Sequence, residues 1–355
     1  MRRSRRSLTT QLVLRCWPRT MLQRFRKPLI ALAVIFVLAM LTVVFLSGGR
    51  TPPLPPLPNP NGYEDFLKAS EVVTGNFRDF RELNRDSLGA LVSTNAEALR
   101  LLRLGLTRQC MMPMDSALTN AGIDQLGGMK RLVQLLAAEG RLRETEDRPA
   151  EAARSYVDAI RFGNEMSRGG FLVTRLVGVA CEAIGCAPLA KVVPMLSRED
   201  SRIILTELEK IDAGRVTWAE VLQGEQCYVR YQLRGRMNPI MWVWGWWQSR
   251  GIMEKAEAKH KMVIAHERLL TAELGLRCYQ SEQGRAPAGL DQLVPKYLQR
   301  VPSDPFSRHP LVYRPQGTNW VLYSVGVDGV DDGGKPTGRS VSGTVTKGDL
   351  FYDSP

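Results

Sequence analysis

Residues 323–334 read YSVGVDGVDDGG, three aspartates and four glycines directly after an alternating apolar run. Carboxylates are hard oxygen ligands, glycines let backbone carbonyls turn inward, and calcium takes six to eight such oxygens. Asp328, Asp331 and Asp332, with Asp349 returning on the last strand, are therefore the candidate ligands of a structural Ca2+ ion. The same composition also makes a tight solvated turn leaving a strand, the reading that residue types alone favour. The loop is not an EF-hand, because the twelfth position from Asp328 is Arg339, where a bidentate Glu is required.

Little else in the chain has the spacing of reaction chemistry. His260 and His266 are six apart and do not share a helix face at metal-ligand spacing, while His309 sits in an SRHPL turn. HExxH, G-x-S-x-G and phosphate-cradling glycine patterns are absent from the sequence. Acid pairs such as Glu144/Glu146 and Glu199/Asp200 are ordinary on solvated helix faces. No catalytic residue is assigned, and an enzyme is the weaker class. Of the six cysteines, Cys16 falls before the apolar segment described next; Cys110, Cys181, Cys186, Cys227 and Cys278 lack zinc-type spacing and read mostly as small buried hydrophobes, with one or two disulfides open.

The charge distribution says where such a chain sits. Of the net +12, residues 1–50 carry +10, from nine Arg and one Lys with no acid, which leaves +2 for the remaining 305 residues. That is a basic leader, not a basic groove, and it argues against nucleic acid. Leu29–Leu46, LIALAVIFVLAMLTVVFL, has Thr42 as its one polar residue. As a helix it spans about 27 Å, close to the hydrocarbon thickness of a bilayer. Basic residues crowd its N-terminal side and Arg50 stands alone on the other, so residues 1–28 are expected in the cytoplasm and the bulk across an inner or plasma membrane. Residues 29–49 read as an uncleaved single-pass anchor held in the lipid bilayer by Leu29–Leu46; a signal peptide cleaved after Gly49 is the alternative.

Residues 50–62, with six prolines between Pro52 and Pro60, read as a stiff spacer. Residues 63–250 read as a helical body. Leu88, Leu91, Ala98, Leu102 and Leu106 keep to one helix face. Near 130–165 two helical runs break at Asp147–Pro149, and Gly140, Ala152, Tyr156 and Ala159 fall 12, 4 and 3 apart. This resembles one tetratricopeptide-like helical pair, with Asp147 standing where that repeat has its turn glycine. FLVTRLVGVACEAIGCAPLAKVV (171–193) looks membrane-like, but Arg175, Glu182 and Pro188 interrupt it, so a buried core helix is expected. Ser197 with Asp200 marks the next helix start. Trp242, Trp244, Trp246 and Trp247 make an apolar patch that reads equally as a headgroup or partner-docking surface and as an aromatic plug between helices.

Residues 251–355 read as a helix followed by a small α+β unit with antiparallel strands, in which Val321, Tyr323 and Val325 alternate with Leu322 and Ser324 as in a half-buried strand. In order come Gly284-Arg285-Ala286-Pro287, Leu293-Val294, Asp304-Pro305-Phe306, Tyr313 and Ser324-Val325-Gly326-Val327-Asp328-Gly329. This series, about a quarter of the chain, resembles the globular tail of the major pseudopilin of type II secretion. The resemblance implies calcium at the Asp/Gly loop, through Asp328 and through Asp331 or Asp332. Pro28 stands where that family's leader ends in glycine, and the apolar span lacks the family's early Glu, so filament assembly is not implied.

The whole chain thus reads as mainly α: an N-terminal transmembrane helix, a helical body and a small α+β tail. The expected function is a membrane-anchored, non-enzymatic envelope protein, near a secretion apparatus, with protein partners met through the tryptophan cluster. The alternative is a membrane-tethered hydrolase or carbohydrate-binding module with a cleft in the helical body.

Overall fold

The computed structural model describes residues 56–77, 79–114, 120–232, 239–336 and 347–353; the expected anchor at 29–49 lies outside them. Within these residues the chain is mainly helical, with one small antiparallel sheet near its C-terminal end.

Several of the helices begin where a side chain offers oxygen to free N–H groups. Asn61 caps α1 (Gly62–Val72), accepting from the amide of Tyr63 at 3.1 Å. Asn84 caps α2 (Arg85–Thr94), accepting from Ser87 at 2.9 Å. The apolar face expected to run unbroken from Leu88 to Leu106 is instead split at Asn95, before α3 (Ala96–Leu106). Asn95 is buried and its amide holds both backbone groups of Thr74, accepting at 2.8 Å and donating at 2.9 Å. That side chain competes with the helix ladder, so the chain bends there while Leu88, Ala98 and Leu102 still reach the core.

Next come α4 (Asn120–Thr145) and α5 (Pro149–Met166), the expected helical pair. Asp147 takes φ 57° at their turn, the left-handed conformation for which a glycine would be the easy choice. Gly140 faces the Tyr156 ring so closely that an added Cβ would lie 2.4 Å from it. α6 (Leu172–Val192) packs on α5 backbone to backbone: a Cβ on Gly178 would lie 2.4 Å from the carbonyl oxygen of Gly163.

Ser197 caps α7 (Arg198–Ala213) through the amide of Asp200 at 3.1 Å, as its sequence indicated. Thr217 and Glu220 cap α8 (Trp218–Gln232) reciprocally. The last helix, α9 (Pro239–Gln283), is a single run of 45 residues. It ends at Gly284, whose φ of 68° closes the turn. Residues 52–236 and 245–355 form one compact unit. The division expected at residue 250 falls inside α9, and Leu269, Leu270 and Leu274 of that helix share one core with Leu189, Ile204 and Leu136. Trp242–Trp247 lie on the first turns of α9, and their side chains fall outside the described residues.

The tail hairpin pairs β1 (Val312–Gln316) with β2 (Asn319–Tyr323), Val312 opposite Tyr323. The half-buried alternation expected along β2 gives way at its end, where Leu322, Tyr323, Ser324 and Val325 are all buried. Both faces are covered there: Leu322 joins the core, while Phe351 and the Asp/Gly loop lie against Tyr323. The five described cysteines are free thiols, all but Cys227 buried.

The α5–α6 contact gives a direct test. Gly178→Val should lower stability by about 1–3 kcal/mol through overpacking, read as a shift of the urea midpoint. Gly89→Ala, at a helical position with open space beyond the glycine, should not lower it.

Candidate functional site

Two helices each present a pair of polar groups seven residues apart, two turns along one face. On α6 these are Arg175 and Glu182; on α9 they are His260 and Glu267. The loop after α7 adds Arg215. All five side chains are buried, Glu182 at 0% and Arg175 and Glu267 at 1% exposure. Arg175 donates to Glu182 at 2.6 Å, to the Ser167 hydroxyl at 3.0 Å and from Nε to Nδ1 of His260 at 2.9 Å. Arg215 donates to the other oxygen of Glu182 at 2.7 Å and to Glu267. Asp212 then collects Arg268 at 3.0 Å and Arg300 at 3.1 Å, which carries the network into the tail segment.

Two carboxylates held between two arginines are close to neutral as a set, which is the condition for burying them. His260 accepts from an arginine that is always a donor, so its own proton sits on Nε2 and the ring is neutral. Burial and the nearby Arg175 charge push its pKa down to about 3. The Trp218 ring lies 5.6 Å away. Nη2 of Arg175, Nε of Arg215 and Oε1 of Glu267 have no hydrogen-bond partner among the described residues. In sequence Arg175 and Glu182 stand as interruptions of an apolar run, and their i, i+7 spacing on that run is the available signal; His260 and Glu267 sit among Lys259, Lys261 and Arg268 and carry none.

A charge-lined cleft lies elsewhere, between α5 and α7 and beside α4. It has a volume of about 520 Å3 and is lined by Arg103, Glu139, Asp158, Arg161 and Glu207 among others. Arg103 bridges Glu139 at 2.5 Å and Asp158 at 3.0 Å, and Arg161 pairs with Glu207. Burial raises the Asp158 carboxyl above its usual range despite Arg103. These acids stand in a cleft, but their described partners are Arg103, Arg161, Lys210 and the Ser155 hydroxyl rather than a second carboxylate.

The aspartates of the tail loop are brought together only in part. Asp349 is buried and accepts from the amides of Asp332 at 3.3 Å and Gly334 at 2.7 Å. Asp331 accepts from the Tyr323 hydroxyl at 2.7 Å, from Gly333 N–H at 2.9 Å and from Arg314 at 3.1 Å, and these donors hold its carboxyl below the usual range, Tyr323 foremost. Asp328 is exposed and, among the described residues, accepts from the amide of Val330 at 3.2 Å. Among the described residues no three His, Cys, Asp or Glu gather as metal ligands do. As placed, Asp331 and Asp349 turn oxygens toward N–H and O–H donors, and Asp328 turns one toward the Val330 amide. Asp304, unassigned as a site residue, is the better-organised carboxylate: it accepts from Phe306 N–H and, across the fold, from Val325 N–H, both at 2.8 Å.

No protein family, curated protein or solved structure matches this chain. Function has to be argued from the sites themselves.

Three outcomes follow from this geometry. Arg215→Met strands the buried Glu267 carboxylate and leaves Glu182 with Arg175 alone, and should cost about 3–5 kcal/mol in chemical denaturation. His260 ionises near 6.5 when unfolded but only near 3 when folded. The unfolded chain therefore binds the proton first, and stability present above pH 6.5 is lost as pH falls toward 3. The loss by pH 4.5 should be about 2–3 kcal/mol, and His260→Gln, which can still accept from Arg175, should remove that part of the slope. Chelator should leave Tm unchanged; a rise of several degrees in calcium, lost in Asp328→Asn, would reassign the Asp/Gly loop as a cation clamp.

Proposed function

We propose that this chain is a single-pass, membrane-anchored envelope protein, its N-terminus cytoplasmic, whose non-catalytic helical body and tail unit make protein contacts. The observation that carries the non-catalytic part is the fate of the buried acids. Asp65, Glu139, Glu182, Glu267 and Glu273 are each matched to an arginine, and Asp304 and Asp349 to backbone amides. A general acid or base needs a proton position that it can exchange with substrate. Each buried carboxylate among the described residues is instead partnered by an arginine or a backbone amide, Glu267 through one of its two oxygens.

The membrane part rests on Leu29–Leu46 and the charge asymmetry around it. The association with secretion rests on the ordered pseudopilin-like series in residues 284–329, and the partner surface on the tryptophan cluster at 242–247. A second reading, a tethered hydrolase or carbohydrate-binding module, is supported by the cleft holding Glu139 and Asp158. It would require Arg103 to leave both acids when a ligand enters.

Expression of the full chain in a bacterial host tests the proposal. The protein should stay in the pellet after carbonate extraction. Protease added to spheroplasts should digest the body while sparing residues 1–28. Release by carbonate, or protection of the body, would overturn it.

A further inference from the structure

By length and composition, one described helical stretch, Leu172–Met195, is apolar enough to cross a bilayer, with a mean hydropathy of 1.7. The buried Arg175–Glu182 pair fixes it as part of the body. Yet only half of that stretch is buried, so the expected core helix is a core helix on one side alone. Val173, Val177, Ala180, Ile184 and Ala187 recur at steps of four and three, which places them on one face. From Val173 to Ala187 that face is uncharged; Val173 is 50% exposed and Ala180 and Ala187 are exposed, while Val177 and Ile184 are half-buried against the core.

Beside it, α9 shows a second pattern. Ile252, Lys255, Lys259 and Met262 share a face at steps of three and four, with Ile252 60% exposed and both lysines exposed. The acids of this segment lie on the other side, where Glu254 pairs with Arg250 and Glu257 with Lys261. Between the two helices is a hollow of about 190 Å3, lined by Val179, Ala183 and Ala187 from α6, by Lys259 and Met262 from α9, and by Tyr352. Lys191 continues the α6 stripe at its far end.

We propose that this face rests on the anionic leaflet of the membrane that holds the anchor, an inference that depends on the anchored reading above. Apolar side chains flanked by lysines, without a carboxylate between them, match acyl chains beneath anionic headgroups. A second copy of the chain is a poorer occupant, because a two-fold contact would set lysines against lysines with no acid to answer them. The tether keeps the face in reach: fifteen residues separate Leu46 from Gly62, and that length extends at most to about 50 Å.

The test uses the full chain in vesicles of phosphatidylethanolamine with phosphatidylglycerol, carrying a photo-crosslinking amino acid at Val177 or, as control, at Thr206, exposed on α7. Carbonate extraction before irradiation checks the anchor separately; a chain that washes off sinks the anchored reading and this one with it. With the anchor intact, lipid adducts should form at position 177 several-fold more than at 206, and Lys255→Glu with Lys259→Glu should cut that excess several-fold. Equal adduct at both positions, or a dimer-sized product at 177, would overturn the proposal while leaving the anchor standing.

Discussion

The fold turns on two arginines sharing two carboxylates out of reach of water. Arg175 and Arg215 meet on Glu182, Arg215 reaches on to Glu267, and through these contacts α6, the loop after α7 and α9 are fixed to one another. Hydrophobic packing alone is forgiving of small slides between helices; a buried ion set is not, since any slide exposes an uncompensated charge to a low-dielectric interior. The apolar core supplies the driving force, and this set selects one arrangement of the helices. Asp212 extends that selection through Arg268 and Arg300, so helical body and tail are held by the same chemistry.

Much of the local structure was legible because it is written in local signals. The cap at Ser197 is a side-chain oxygen placed against a nearby amide, and the hairpin at Asp147 is a helical period interrupted by a turn. The break at Asn95 was not legible, because its cause is Thr74, twenty-one residues away. The buried charge set was hidden for a similar reason. Along α9, His260 and Glu267 sit among Lys259, Lys261 and Arg268, a composition that reads as a solvated face until α6 is brought against it.

The Asp/Gly loop shows how residue type underdetermines a site. Four aspartates in the right region suggest a cation, but what each oxygen meets depends on Tyr323, Arg314 and the loop's own amides. Those donors make Asp331 and Asp349 fasteners for the end of the sheet. Asp304 does the same work from the neighbouring turn, reaching to Val325, and its aspartate–proline context gave no hint of that span.

The buried thiols bear on how such a chain comes to be folded. Burial pushes Cys181 and Cys186 up to about 12, so in the finished fold they are protonated, sealed and poor nucleophiles. In an extended chain the same sulfurs are ordinary thiols with no assigned mates, open to mispairing in an oxidising compartment. Folding beyond the membrane would therefore be a race between closure of α6 against its neighbours and oxidation, with the reduced fold as the product of winning it.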